Sequence, residues 1–329
     1  MADFRMMMRA PGGPEVIERE DISPSAPGAG RVLVRHRAIG LNFIDTYRRS
    51  GLYPVDLPAG LGTEAAGIVE AVGADVHDFA PGDRVAYATG PVGAYATARD
   101  IAAEHLLRLP DAVDDETAAA ATLKGMTACF LIEDCAKIRA GQAALVFAAA
   151  GGVGSIIVQW LARIGVTTIA HTGSPEKADL AGALGATHAL SCPMDGLAAA
   201  VRDLTAGRGV DCVFDGVGAD SWQASLASVA RRGLLITYGN ASGPVPAFDA
   251  LALMRAGSIF VTRPTLGDYA ATADDLRRLA ARLYGHIEKQ GLVVPIGQRF
   301  ALGDAAEAHR RLEARATHGS SILTVASGD

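Results

Sequence analysis

Apolar positions in the first third of the chain come in short runs broken by glycine and proline. Val32-Leu-Val-Arg-His, Ala65 to Val72 and Arg84-Val-Ala-Tyr read as strands, and turns such as Pro81-Gly-Asp punctuate them. Residues 1 to about 123 therefore predict a compact all-β unit. The rhythm then changes. Between about 123 and 262, apolar runs at 143–147, 167–171, 212–215, 234–238 and 258–261 alternate with helical patterns at 155–164, 176–184, 196–205 and 221–229. Strands separated by helices predict βαβ units and a doubly wound parallel sheet of the Rossmann type. A helical pattern over 273–290 opens the last zone, and strand-like and helical pieces follow it.

The junction near residue 150 carries the first chemical signal. Phe147-Ala-Ala-Ala-Gly-Gly-Val-Gly154 links a predicted strand to a predicted helix. Small residues let a backbone approach a pyrophosphate, and the helix that follows turns its positive N-terminus toward it. Gly151 and Gly154 take the second and third places of a G-x-G-x-x-G fingerprint, Gly152 and Val153 lie between them, and Ala149 takes the first. The next predicted strand runs into His171-Thr-Gly-Ser-Pro-Glu-Lys177. An NAD site would place a carboxylate at that strand end. Here Gly173 and Ser174 leave room for a 2′-phosphate and Lys177 supplies charge, which favours NADPH. The competing reading makes Glu176 and Lys177 only the solvated first turn of a helix.

Composition narrows the partners. Over 329 residues the formal net charge is −6, which argues against nucleic acid. Residues 140–162 carry no charge and are long enough to cross a bilayer, but glycines and Gln142, Ser155 and Gln159 interrupt them, so strand, turn and helix is the better reading. The opening Met1-Ala-Asp-Phe-Arg lacks a signal-peptide core, and a cytoplasmic protein without membrane contact is expected. The four cysteines, Cys129, Cys135, Cys192 and Cys212, match no zinc spacing and are expected as reduced thiols. Only four of the 30 basic residues are lysines: Lys124, Lys137, Lys177 and Lys289.

Several separated motifs then resemble one family. They are Gly12-Gly-Pro-Glu-Val, Ala38-Ile-Gly-Leu-Asn-Phe-Ile-Asp-Thr-Tyr47, Ser50-Gly-Leu-Tyr-Pro54, Gly60-Leu-Gly-Thr-Glu-Ala-Ala-Gly-Ile-Val69, Pro81-Gly-Asp-Arg-Val85 and Leu123-Lys-Gly-Met-Thr127. The glycine turn, Tyr238-Gly-Asn-Ala-Ser-Gly243, Val261-Thr-Arg-Pro264 and Arg315-Ala-Thr-His-Gly-Ser-Ser321 complete the set. Nearly end to end, the chain resembles the zinc-independent quinone oxidoreductases, the NADPH:quinone reductases of the medium-chain dehydrogenase/reductase superfamily. The resemblance implies a GroES-like, partly β catalytic domain (1–123 and 266–329), a Rossmann NADP-binding domain (124–265), an active site in the cleft and a homodimer. The strand at 258–261 is the expected pairing edge, unless the C-terminal region caps it.

In zinc alcohol dehydrogenases of this superfamily a Cys, a His and a second Cys hold the metal. Asn42, Thr63 and Lys124 stand at those positions here, and none is an ordinary zinc ligand. A quinone suits such a site, since it is already electrophilic and needs a donor for its developing oxyanion rather than a Lewis acid. By the same resemblance, Asn42, Asp45 and Tyr47 lie near the nicotinamide ribose. Tyr47 and Tyr53 are candidates to flank the quinone and donate to its oxygen; the bland reading of each is a packed ring with a satisfied hydroxyl. Asp45 could instead hold a loop through local backbone bonds. Catalytic candidates are thus Asn42, Asp45, Tyr47 and Tyr53. Cofactor candidates add Thr127, the turn, Gly173, Ser174, Lys177, Val217, Gly239, Asn240, Ser242, Arg263 and Arg315. The two arginines have an ordinary salt-bridge role as their alternative. Cys192 stands where relatives place a tyrosine against the adenosine phosphate, which weakens the NADPH preference. The leading expectation is hydride or stepwise electron transfer from NADPH to a quinone. An enone or 2-alkenal reductase is the second, and a non-catalytic NADPH-binding or RNA-binding role the third.

Overall fold

The computed structural model describes residues 2–325. Contacts divide the chain into two compact units, Met1–Met126 with Ala270–Asp329 (the terminal unit) and Thr127–Tyr269 (the central unit).

The terminal unit begins with β1 (Phe4–Met8), β2 (Glu18–Asp21), β3 (Arg31–Leu41), α1 (Phe43–Arg49), β4 (Ala59–Gly60), β5 (Glu64–Val72), β6 (Arg84–Tyr87), β7 (Ala98–Ala102) and β8 (Leu107–Arg108). Strands β2, β1 and β4 form a small antiparallel sheet. The 11-residue β3 is the spine of a larger one. It pairs with β5 along one side, and Arg31 to Arg35 pair with β7 on the other. Alternate side chains point inward, and Val32, Val34, Ile39 and Leu41 are buried with Val85, Tyr87 and Ile101.

The all-β expectation for residues 1–123 is corrected here. It misses α1 and α2 (Asp115–Cys129). Helix α1 is one of two turns, and its pairing of Asn42 with Asp45 is a local signal easily passed over. Helix α2 is rich in alanine, and Ala118 to Ala121 are fully buried, so no amphipathic stripe announces it. It widens into a π-helical run, Phe130–Ala136.

The central unit runs β9 (Ala143–Phe147), α3 (Gly152–Arg163), β10 (Thr167–His171), α4 (Pro175–Ala183), β11 (His188–Leu190), α5 (Met194–Leu204), β12 (Val210–Asp215), α6 (Trp222–Ser228), β13 (Val229–Thr237), α7 (Leu251–Arg255), β14 (Phe260–Thr262) and α8 (Leu266–Tyr269). Its sheet is parallel throughout, in the order β11-β10-β9-β12-β13-β14. In such a doubly wound sheet the order in which strands are added reverses between β9 and β12, where a crevice opens at the strands' C-terminal ends. The α/β fold class is as expected. Strand β11 has no counterpart in the sequence reading, since His188 to Leu190 offers only three residues and no alternation. Strand β13 starts five residues before its predicted place, and β14 starts two residues after, because Ser258 adopts a left-handed φ of 57°. The uncharged stretch at 140–162 folds as β9, turn and α3, and no helix among the described residues is long and apolar enough to cross a membrane.

The chain then returns to the terminal unit with α9 (Ala273–Gln290), β15 (Ile296–Ala301), α10 (Ala305–Glu313) and β16 (Ser320–Thr324). Strand β16 pairs antiparallel with Ala38 to Leu41 of β3, beside the segment that β7 covers. Both ends of the chain thus share one strand.

Candidate active site

In the central unit, the predicted cofactor residues follow the C-terminal ends of the parallel strands. After β9 the chain turns at Ala148, whose φ is +48°. The left-handed residue is therefore Ala148, one place before the Ala149 that the fingerprint assigned to the tight turn. An alanine there costs about 1 kcal/mol over glycine. Gly154 is required by packing: a Cβ would lie 2.3 Å from the Ala148 carbonyl oxygen. At Gly151, the N-cap of α3, a Cβ would come within 3.1 Å of the same oxygen. Gly152 and Val153 open the helix, whose first N–H groups have no partner within it.

After β10, Gly173 is exposed and a Cβ there would meet nothing within 4 Å. Ser174 caps α4, accepting from the Lys177 backbone N–H at 3.3 Å. No carboxylate lies between His171 and Pro175. Glu176 and Lys177 both sit in the first turn of α4, and the Ser174 hydroxyl holds the Glu176 carboxyl below its usual range. After β11, the Cys192 carbonyl accepts from His171 Nε2 at 2.9 Å, and burial pushes the His171 imidazole down, so it is neutral.

The loops after β12 and β13 interlock. Ser242 N–H and Oγ–H donate to the Val217 carbonyl at 2.8 and 2.9 Å. A Cβ on Gly239 would lie 2.2 Å from the Gly216 carbonyl oxygen. Asn240 is buried, and Arg263, just past β14, donates to the Gly239 carbonyl at 3.4 Å. The structure therefore brings Val217, Gly239, Asn240, Ser242 and Arg263 into one cluster. Beneath it, the buried Asp215 carboxylate accepts from Val217 and Gly218 N–H and from the Ser221 and Ser225 hydroxyls. Sequence reading missed that anchor, because a strand-terminal Asp followed by two serines has no motif. Thr127, half-buried, opens this unit near the end of α2.

The terminal unit gathers the other candidates around α1. Asn42 is its N-cap, and Asn42 N–H donates to Asp45 Oδ2 at 3.0 Å, one half of a capping box. The Tyr47 ring is buried, its centroid 5.4 Å from that of half-buried Tyr53 in an edge-on pair. Tyr53 N–H donates to the Tyr47 carbonyl at 3.0 Å. Arg315 is exposed in the turn after α10, with a left-handed φ of 56°.

Two buried carboxylates organise this region. Glu64 Oε2 accepts from Asn42 Nδ2 at 2.9 Å and from Lys124 Nζ at 3.1 Å, and Oε1 accepts from Leu123 N–H at 2.6 Å. Gly40 makes room: a Cβ there would lie 2.2 Å from Glu64 Oε2 and 2.4 Å from the Ala119 carbonyl oxygen. Asp45 Oδ1 accepts from Thr63 Oγ1 at 2.9 Å, and Arg48 Nη1 donates to the same hydroxyl at 2.5 Å. Burial raises the Asp45 carboxyl to about 6 against the pull of these donors. In the sequence, Glu64 is legible only as part of the Gly60–Val69 motif. Lys124, at the third of the zinc-ligand positions, is a buried partner of Glu64.

The three positions of the zinc ligands in related alcohol dehydrogenases thus hold an amide, a hydroxyl and an ammonium, all hydrogen-bonded. Among the described residues no group of three or more His, Cys, Asp or Glu could hold a metal ion. These side chains do not fit zinc.

Comparison with known proteins places this geometry. Residues 28–111 match the alcohol dehydrogenase GroES-like domain, and residues 152–282 match the zinc-binding dehydrogenase family. The chain is 51% identical to a quinone oxidoreductase of Pseudomonas aeruginosa over 97% of its length and 98% of that protein's. It is 38% identical to a 2-haloacrylate reductase of a Burkholderia species, over 95% of this chain and 96% of the relative. Among solved structures, the Escherichia coli quinone oxidoreductase complexed with NADPH superposes with a TM-score of 0.95 at 41% identity, covering 98% of this chain and all of the other. The GroES-like and parallel-sheet architectures and the 51% identity over nearly the full length together mean that the chain belongs to the quinone oxidoreductases of the medium-chain dehydrogenase/reductase superfamily.

Proposed function

We propose that this chain is an NADPH-dependent quinone reductase that works without a metal ion. The observation that carries the reading is the corner after β10, read with the likeness to the quinone oxidoreductases. There Gly173 leaves open space, no carboxylate ends the strand, and the basic Lys177 lies one turn on. A 2′-phosphate is accommodated by such a corner and would be repelled by the carboxylate of an NAD site. NADPH, when bound, supplies the hydride. We assign its pyrophosphate to Gly151, Gly152, Val153 and Gly154, and its 2′-phosphate to Gly173, Ser174 and Lys177, with Cys192 close by. Val217, Gly239, Asn240, Ser242, Arg263, Thr127 and Arg315, with Asn42 and Tyr47, complete the cofactor set. We assign 124–265 as the cofactor domain, and 1–123 with 266–329 as the catalytic domain.

Tyr47 and Tyr53 pack edge to face, so a flat quinone would stack on one ring only, and we assign their hydroxyls as the donors for its developing oxyanion. Asn42 and Asp45 hold that end of the site in place. A second reading, reduction of an activated C=C bond, is favoured by the relative named as a 2-haloacrylate reductase. We further infer a homodimer paired through β14, where Phe260 is 62% exposed on a sheet edge. The cytoplasm suits its four free thiols.

The test is NADPH oxidation followed at the nicotinamide absorbance, with 1,4-benzoquinone, with 9,10-phenanthrenequinone and with an enone, each repeated with NADH. Quinone-dependent turnover, faster with NADPH than with NADH, is expected. Turnover with the enone alone overturns the quinone reading in favour of the second.

A further inference from the structure

A buried hydrogen-bond chain in the terminal unit reaches Asp45 from the C-terminal helix. Arg49 of α1 is fixed first. Its Nε donates to the Gly12 carbonyl at 3.0 Å, and its two terminal nitrogens bind Glu313 of α10 at 2.7 and 2.9 Å. Arg49 Nη1 faces His309 Nδ1 at 3.5 Å. A guanidinium only donates, so Nδ1 must be bare and the proton of a neutral ring sits on Nε2. Burial, with the Arg49 charge beside it, holds the His309 imidazole near 3, so it is neutral at working pH. His309 Nε2 lies 3.1 Å from the Tyr95 hydroxyl, which therefore accepts from His309 and turns its own proton to Asp45 Oδ2 at 3.2 Å. From Arg49 to Asp45 every proton has one direction.

We propose that His309 and Tyr95 are positioning residues for the reaction: the one-way chain that starts at Arg49 fixes Asp45 as an acceptor and so holds Asn42 and Thr63 in their working orientation. This rests on the assignment of Asn42 and Asp45 to the site. The charged and polar groups around Asp45 are Arg48 and Arg49 on α1, Thr63 and Glu64 at the start of β5, Tyr95, and His309 with Glu313 on α10. Neither His309 nor Tyr95 needs to touch substrate. The Tyr95 ring has a fitted seat, since a Cβ on Gly62 would lie 2.2 Å from its Cδ1, so Tyr95→Phe keeps the packing and removes only the hydroxyl, the donor to Asp45 and the acceptor of His309 Nε2–H.

The experiment titrates Asp45 directly, by 13C NMR of protein labelled at the aspartate carboxyl carbons, with Asp45→Asn used to assign the signal. It then compares the acid limb of kcat/KM for quinone turnover. Tyr95→Phe takes one donor from the ionised carboxylate, so the Asp45 midpoint rises by about one pH unit. The acid limb moves up with it, with the NADPH KM little changed. His309→Gln, whose amide N–H can replace Nε2–H, stays near wild type, and His309→Leu shifts toward Tyr95→Phe. His309→Leu, which removes the link between Arg49 and Tyr95, keeps the test alive if Tyr95→Phe folds poorly, and Thr63→Val, which removes the donor on the other carboxylate oxygen, calibrates what the loss of one donor does to the midpoint. An unmoved midpoint in Tyr95→Phe and in His309→Leu overturns the chain. A moved midpoint with an unmoved acid limb overturns the positioning role. Wild-type turnover in the same assay reports separately on the quinone reading, because the NMR titration needs no activity.

Discussion

Glu64 and Lys124 form an ion pair that is almost wholly closed to water, the carboxylate 0% and the lysine side chain 6% exposed. Removing one partner of such a pair leaves the other charge buried and uncompensated, at a cost of about 3 kcal/mol or more. Glu64→Gln should therefore lower the thermal midpoint by roughly 5 °C. Adding Lys124→Met should restore much of that loss, since the stranded charge is gone; calorimetry on the two variants checks both statements. Lys177 works on binding instead. Lys177→Ala should leave stability near wild type and cut the kcat/KM preference for NADPH over NADH by about tenfold, the worth of one charge-assisted phosphate contact. Equal loss with both cofactors would reassign Lys177 to the helix surface.

At the level of elements, the turn between β9 and α3 has no slack. Gly154 faces a backbone oxygen, which cannot swing aside as a side chain could. Gly154→Ala should push α3 off the sheet, weaken NADPH binding measured by calorimetric titration at least about tenfold, and cost 1–3 kcal/mol of stability. This element was legible because its signal is local: apolar strand, small residues, helix. The predicted ranges for β9, β10 and α9 coincide with the observed elements for the same reason. Strand β11 was not legible, being three residues held in place by β10. Nor was α2, whose burial on all sides removes the periodicity that reveals a helix. The polar interior around α1 was half legible. Asn42 and Asp45 stand in one motif, while Tyr95 and His309 reach Asp45 from 50 and 264 residues away. Only folding sets such partners side by side.

For the whole molecule, buried imidazoles set the acid response. Burial holds His36 near 4 and His309 near 3, while it lifts Asp45 to about 6. A histidine depressed in the folded state contributes stability that is present above 6.5 and lost as pH falls. Raised Asp45 acts oppositely, between about 6 and its unfolded value. At pH 5, unfolding takes up two protons at the histidines and releases one from Asp45, a net uptake of about one. Stability should fall by about 1.4 kcal/mol per pH unit from pH 6 toward 4, with a further fall from His171. Urea titrations at pH 7 and 5 test this, and His309→Gln should flatten the slope. Assembly has its own test. If β14 pairs two copies, Phe260→Asp should yield a monomer by light scattering at micromolar protein, and a monomeric wild type would remove the dimer. One last consequence comes from β3, which binds β7 on one segment of its edge and the late strand β16 on the next. Ribosomes make the two halves of that edge far apart in time. A nascent chain that has passed Tyr269 already holds every strand of the parallel sheet, yet Ala38 to Leu41, the approach to Asn42, still lacks β16 on its second side. Chains released before residue 320 would thus expose a raw sheet edge beside the site, which makes them candidates for quality-control proteolysis rather than slow enzymes.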